Sequence, residues 1–381
     1  MKIVHCCLSC FYIDNYTYQE NMLVREHVKA GHDVTIIAST ETFGDSKNVI
    51  YFEPSEYMGS DGCRVKRLPY RKFLPKAIMR KLRIHPGLYR ELNELSPDII
   101  MFHGMCGFEL LTVARYIKNN PSVKFYADCH EDKYNSATSF LAKNTLYKFF
   151  YSPIISLCHK YFDKVLYITH ESKIFCNEVY KLSDDILEFF PLGGVVYSDD
   201  HYKQVRNQKR IMLNIQSHET VFFQSGKFDT KKKLLQSIES FSKIKNINFK
   251  YYIAGDVQED IKSEFYRLLE ADPRIQFLGW VNSEELIKLL CMSDVYVQPG
   301  SQSATMQMSL AARCAVILDD VPSHRHIFTG NGFLVKTDEN LTSAFSKFGK
   351  DPTLIHSMSE NSYEFAKEYL DYARLAERLT K

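Results

Sequence analysis

At 381 residues the chain is long enough for two domains. Hydrophobic residues make up 45% of it, enough for full cores, and 48 Lys and Arg against 46 Asp and Glu leave a net charge of +2, so no global field points to nucleic acid. Most of the ten cysteines sit in or beside apolar runs, a pattern of reduced, buried thiols in a cytoplasmic protein; strand-like sequence from Met1 argues against a signal peptide, and no apolar run approaches the ~18 residues of a membrane span.

Met1-Lys-Ile-Val-His-Cys-Cys-Leu8 reads as an opening strand. A polar and aromatic loop follows, and a helix is expected over 19–29 with Met22, Leu23 and Val28 inward. Gly31 ends it, and His32-Asp-Val-Thr-Ile-Ile-Ala38 is the next strand, which makes a βαβ unit. The residues crowding the helix start, among them Asp14, Tyr16, Tyr18 and Glu20, either contact a ligand or, in the case of Asn15 and Thr17, cap the helix. Between Arg64 and Arg83 lie nine cations and no acid, interleaved with Leu68, Tyr70, Phe73, Leu74, Ile78 and Met79. That pattern suits an interfacial segment on an anionic membrane, to which the aromatic stretch 147–155 would add. A solvated basic loop and helix is the alternative. No nucleic-acid module is present, so that partner is not expected.

Pro97-Asp-Ile-Ile-Met-Phe-His-Gly104 and Val123-Lys-Phe-Tyr-Ala-Asp-Cys-His130 read as strands that finish on His103 and on His130-Glu131-Asp132. Ligands of open α/β sheets bind at such carboxyl ends. Neither histidine has metal-site spacing to another, so no metal is expected. Lys164-Val-Leu-Tyr-Ile-Thr169 closes the first half, and the polar stretch 201–217 reads as an interdomain link.

In the second half, Thr220-Val-Phe-Phe223 is a buried strand that Gly226 should end. Lysines fill the turn from Lys227 to Lys233, and Leu234, Leu235, Ile238 and Phe241 then recur at helical spacing. A second strand–turn–helix unit runs from Ser293 to Leu318, with Pro299-Gly-Ser-Gln-Ser303 at its turn. Cations and free amides at a helix start suit a phosphate. A solvated lysine cluster and an ordinary serine cap are the plain alternatives.

These residues, in this order, resemble the family-4 glycosyltransferases of the GT-B fold. Gly226-Lys227-Phe228, Lys232 and Glu239-Ser240-Phe241 match that family's Gly-Arg-hydrophobic-x-x-x-Lys and Glu-Ala-Phe pattern. The match continues through Tyr252-Ile-Ala-Gly-Asp256, Phe277-Leu-Gly-Trp-Val281, Asp294-Val-Tyr-Val-Gln-Pro299 and Gly332-Phe-Leu-Val335. The resemblance implies an α/β protein with two Rossmann-like, doubly wound parallel-sheet domains facing a cleft. Residues 1–200 would bind the acceptor and 201–362 the nucleotide sugar, with the C-terminal helix 363–381 returning to the first domain. It also assigns roles. His130 faces the transferred sugar, with Lys227 and Lys232 on the diphosphate. Gly226, Gly255, Trp280, Val281, Gly300, Ser301, Gln302, Ser303, Ala304, Thr305 and Gln307 line the donor. Tyr16, Tyr18, Glu20, His103, Glu131 and Asp132 face the acceptor.

Transfer from a nucleoside diphosphate sugar leaves a diphosphate anion, which a site without metal must meet with cations and oriented dipoles. The resemblance implies retention at the anomeric carbon, no cofactor and no metal. Two departures stand out. Lys227 replaces the family's arginine, which keeps the charge and loses the bidentate geometry. No glutamate occurs from Ile287 to Asp338, where the family carries two. The leading reading is a transferase moving a hexose or N-acetylhexosamine, from UDP above other bases, to a glycan or lipid-linked acceptor in capsule or lipopolysaccharide assembly. It would work on the cytoplasmic membrane's inner face. A catalytically silent subunit that activates a partner transferase and a nucleotide-sugar epimerase of the same fold are the alternatives.

Overall fold

The computed structural model describes residues 1–43, 48–73, 75–132, 142–301 and 303–381. The chain divides into two units, Met1–Pro191 with Ala373–Lys381, and Leu192–Tyr372.

Unit 1 holds strands β1 (Lys2–Cys7), β2 (Asp33–Ser39), β3 (Glu41–Phe43), β4 (Val49–Tyr51), β5 (Ser55–Met58), β6 (Arg64–Leu68), β7 (Ile99–Phe102), β8 (Lys124–Cys129), β9 (Lys164–Tyr167) and β10 (Leu187–Phe189). Its main sheet runs β10-β9-β8-β7-β1-β2-β6-β5. All pairs are parallel except β5 on β6. Parallel strands are covered on both faces and so read as continuous apolar runs. Phe102, Leu110 and Phe125 fill one face and Val24, Ile36 and Val65 the other. From the centre outward the strands follow the doubly wound order 3-2-1-4-5-6, with the reversal between β1 and β7.

The first helix is Gln19–Lys29, as its periodicity predicts, and Met22 and Leu23 are buried. Val28 is partly buried and packs on the same core, and Val24 and His27 complete the buried face. Neither Asn15 nor Thr17 caps this helix. Tyr18 is its N-cap without a side-chain bond, and Asn15, at φ 65°, accepts from Ser60 Oγ at 2.5 Å.

The basic segment is not one amphipathic face. It divides into strand β6, a turn and the short helix Lys76–Leu82. Distant acids neutralise much of it. Arg67, fully buried, pairs with Asp14 at 2.7 Å, Lys66 with Glu91 at 2.7 Å, Arg64 with Glu56 at 3.6 Å and Arg80 with Glu41. Arg83 donates to the carbonyls of Ser9 and Cys106. Phe73 and Ile78 stay exposed. Of the aromatic stretch, Tyr147, Tyr151 and Ile155 are core residues, whereas Phe149 and the neighbouring Leu157 are 69% and 64% exposed.

Unit 2 adds β11 (Thr220–Phe228), β12 (Phe249–Val257), β13 (Ile275–Phe277), β14 (Val295–Gln298), β15 (Ala315–Asp319) and β16 (Gly332–Val335). They form an all-parallel sheet, β13-β12-β11-β14-β15-β16. This is again the order 3-2-1-4-5-6, with the reversal between β11 and β14. Gly226 does not end its strand: β11 pairs with β12 through to Phe228↔Val257. The two glycines facing each other there, Gly226 and Gly255, have φ of 152° and 148°. A Cβ on Gly255 would lie 1.8 Å from Gly226 O, so backbone approach demands glycine.

The expected link 201–217 is mostly the helix Asp199–Met212. It is built into unit 2: Arg206 and Arg210 bind Asp294 at 2.5 and 3.4 Å, and Lys209 pairs with Glu285. At the other end, Tyr363–Tyr372 belongs to unit 2 and only Ala373–Lys381 to unit 1. There Arg378 bonds Phe189 O at 2.7 Å, and Ala376 O meets His27. All ten cysteines are free thiols, including the Cys-x-x-Cys spacing of Cys7 and Cys10. Among the described residues no helix is long and apolar enough to cross a membrane.

Candidate active site

At the β11–β14 junction the two turns of the second half become one structure. After β11, the Asp229 carboxylate accepts from the amides of Lys231 and Lys232 at 3.0 and 3.2 Å, forming a single 3-10 turn. Those two amides are therefore occupied, and the helix that follows, Leu234–Ser242, starts without a side-chain cap bond. Gly300, after β14, packs directly on this turn: a Cβ there would meet Lys231 O at 2.2 Å. Ser301 N donates to Lys231 O at 3.0 Å, and Lys232 Nζ donates to Ser301 O at 2.8 Å. Burial lowers the pKa of Lys232, and Asp229 opposes that shift. Its stem passes Gly226, where a Cβ would lie 4.0 Å from Lys232 Cε. Lys227, read from the sequence as part of the turn, is exposed as the penultimate residue of β11, opposite Asp256.

Beneath these loops lie polar groups that the sequence reading missed. Ser225 Oγ within β11 and Gln298 Nε2 at the end of β14 are buried and have no partner among the described residues. Gln298 Oε1 is held by Ser303 Oγ at 2.7 Å and Tyr296 OH at 3.2 Å. The amide hydrogens of Gln298 therefore point away from these anchors. The available signal was a polar residue following the apolar run of each of two strands.

The remaining donor candidates divide. Gly255 sits beside Gly226, and Ala304 and Thr305 open the short helix Thr305–Ala311. Gln302 lies outside the described residues. Gln307 does not reach outward: it is buried, and its amide, turned to satisfy both ends, donates to Ser303 O and Ala304 O at 3.2 and 3.3 Å. Trp280, 64% exposed, and Val281 lie in the loop after β13, two strands from the junction.

In unit 1, His130 follows β8 and borders a pocket of about 530 Å³ with Ser9, Tyr70, Arg80, Arg83 and Glu131. Its Nε2 is 3.3 Å from Asp128 Oδ1. Desolvation disfavours the imidazolium. Asp128, by charge and hydrogen bond, then Glu20 and Glu131, outweigh it and raise the His130 pKa to about 9. Burial opposes ionisation of Asp128 too, but His130 and His103 hold its carboxyl far below the usual range. His130 is therefore a cation at neutral pH.

His103 is not in that pocket. It is 2% exposed, and both ring nitrogens are engaged, with His5 at 2.9 Å and Asp128 at 2.9 Å. Glu131 lines the pocket, yet its oxygens already accept from Cys106 Sγ at 2.9 Å and Cys129 Sγ at 3.2 Å. Glu20 is buried, with its pKa raised by desolvation. Tyr16 and Tyr18 are exposed, their rings 5.2 Å apart, and with the half-buried Asp132 they are not among the residues lining the pocket. A larger hollow in unit 2, about 910 Å³ around Arg206, Arg210 and Asp294, lies at the amino ends of β11 and β14. That is the opposite edge from the one at which such sheets bind ligands.

Residues 205–365 match the family model "Glycosyl transferases group 1", and residues 21–193 match "Glycosyltransferase Family 4". The chain belongs to the family-4, GT-B-fold glycosyltransferases. Solved structures agree in fold across nearly the whole of this glycosyltransferase. A sucrose-phosphate synthase from Thermosynechococcus elongatus superposes with TM-score 0.68 at 14% identity, covering 100% of this chain and 97% of that one. HepE from Anabaena, in complex with UDP, gives 0.68 at 12%, covering 100% and 98%. WaaG, a glycosyltransferase involved in lipopolysaccharide biosynthesis, gives 0.62 at 15%, covering 99% of each chain. No curated protein matches by sequence.

Proposed function

We propose that this glycosyltransferase takes its sugar from a nucleoside diphosphate sugar, with unit 2 holding the donor and unit 1 the acceptor. The observation that carries this reading is the joined turn of unit 2. Lys232 is tied to Ser301 O at 2.8 Å over the Gly300 backbone contact, at the carboxyl ends of β11 and β14. A departing diphosphate needs positive charge and donors already aimed at it. Lys227 and Lys232 supply the charge. Ser225 Oγ and Gln298 Nε2, without partners among the described residues, supply hydrogen bonds without a glutamate.

Uridine is the proposed base, supported by structural neighbours solved with UDP and UDP-glucose. The transferred group is a hexose or N-acetylhexosamine, moved with retention and without metal or cofactor. His130, cationic at neutral pH, faces the transferred sugar. The acceptor is a glycan or lipid-linked glycan of the cell surface, met at the cytoplasmic face of an anionic membrane. Exposed Phe73, Ile78, Phe149 and Leu157 support that docking, with Lys72 and Lys81 beside them in sequence.

Calorimetric titration with UDP, GDP and several UDP-sugars, with and without EDTA, tests the donor reading. Micromolar, EDTA-insensitive binding of a uridine nucleotide is expected. No binding by any of them would overturn it and favour a silent subunit.

A further inference from the structure

Three imidazoles form an unbroken line inside unit 1. His27 Nε2 faces Ala376 O at 3.0 Å, and His27 Nδ1 faces His5 Nε2 at 3.0 Å. His5 Nδ1 faces His103 Nε2 at 2.9 Å, and His103 Nδ1 faces Asp128 Oδ2 at 2.9 Å. All four side chains are at most 2% exposed. The line ends on an acceptor at each side, since a carbonyl oxygen has no proton to give and a carboxylate has none either.

Proton counting then decides the state. Four hydrogen bonds require four protons, and three neutral imidazoles bring one each. If all three protons point toward Ala376, His103 Nδ1 and Asp128 Oδ2 confront each other as bare acceptors. If all three point toward Asp128, the clash moves to His27 Nε2 and Ala376 O. Two acceptors buried at 3 Å without a proton forfeit a hydrogen bond and repel.

We infer that the line holds a fourth proton, carried on His103, so that a buried imidazolium–carboxylate pair stands directly behind His130. Asp128 also accepts from Gly104 N–H at 2.5 Å and from His130, which keeps the proton on the ring. Burial and neighbouring rings push the other two imidazoles down, His27 to about 4. His103, His5 and His27 are positioning residues in this scheme. They hold Asp128 with one oxygen on His130 and share its charge.

Other titratable groups face the line. Glu20 comes from the first helix, Cys10 from the loop after β1 and Glu131 from the loop after β8, with His32 5.9 Å from the His27 ring. None of them interposes a donor or acceptor within the four bonds. Removing His27 removes the mismatch: His5 and His103 then need two protons for two bonds, both turned toward Asp128. His103 becomes neutral, Asp128 acts alone on His130, and His130 titrates at higher pH.

The test is nitrogen-15 histidine NMR of the full chain at pH 7.5 without nucleotide, so that its outcome is independent of the donor reading. Protonated Nε2 on His27 and His5 and both nitrogens protonated on His103 are expected. A singly protonated His103, or a bare Nε2 on His27, overturns the inference. In His27→Leu, His103 should carry its single proton on Nδ1, and the His130 midpoint should rise by roughly 0.5–1 pH unit. A folded variant whose His103 keeps both protons also overturns it. If that variant does not fold, the wild-type spectrum alone decides.

Discussion

Both units place their candidate site groups where the strand order reverses, at β1–β7 in unit 1 and β11–β14 in unit 2, and they fill the same junction by different means. Unit 1 fills it with side chains. His5 within β1, His103 just past β7 and Asp128 near the end of β8 meet side by side, every ring nitrogen and carboxylate oxygen has a partner, and His130 emerges from the assembly as a cation. Unit 2 fills it with backbone. Gly255 against Gly226 and Gly300 against Lys231 leave no room for a Cβ, while Ser225 Oγ and Gln298 Nε2 have no hydrogen-bond partner among the described residues. Unit 1 should therefore respond to charge and pH, and unit 2 to added volume and to loss of a single cation.

The largest effect is expected from Asp128→Asn. It strands buried imidazoles without their counter-charge, and breaking a buried ion pair costs about 3–5 kcal/mol, read by urea unfolding at pH 7. A loss below about 1 kcal/mol would mean that unit 1 is not organised by charge. Lys232→Ala removes a charge-assisted bond worth ~1.5–3 kcal/mol, so UDP affinity should fall about 10- to 100-fold in calorimetry. Unchanged affinity would take Lys232 out of the donor site.

Gly300→Ala should weaken UDP binding and lower stability by about 1–3 kcal/mol, because overpacking forces the Lys231 backbone away. If neither thermal melting nor UDP affinity changes, close backbone contact is not what builds that site.

Smaller is the pH response of His130, because its side chain is 39% exposed and water screens its partners. Its folded pKa of about 9 lies above the ordinary 6.5. The stability it contributes is complete below about pH 6.5 and is lost as pH rises through about 9. Chemical unfolding across pH 6–10 should show that decline, and His130→Gln should flatten it. The smallest effect concerns the surface. Lys72→Gln with Lys81→Gln should weaken binding to anionic vesicles by about fivefold per charge and leave UDP affinity alone. Retained vesicle binding would place the docking face elsewhere.

Much of unit 2 was legible in advance because its signals are local. An apolar run, a turn rich in glycine and charge, and a 3.6-residue period identify strand, loop and helix from neighbours in sequence. They put Lys232 and Gly300 at the ends of strands. The same logic placed His130 after its strand. It misjudged Gly226, because a glycine inside a strand looks like a stop until the facing Gly255 is known. It misjudged His103 and Gln307, since the end of a strand or the start of a helix does not say whether a side chain points at ligand or is spent on the protein.

By itself the sequence determined the two βαβ halves, the family pattern and the residues at each strand's end, all set by chemistry within a few positions. Only the tertiary structure decided the pairings. His5 meets His103 across 98 residues, Lys232 meets Ser301 across 69, and His27 meets Ala376 across 349. Asp14, Glu41, Glu56 and Glu91 come from other segments to neutralise a stretch that contains no acid of its own. The physical reason is the strand order: crossover connections make neighbours of strands far apart in the chain, and proton balance and charge balance are settled between those neighbours.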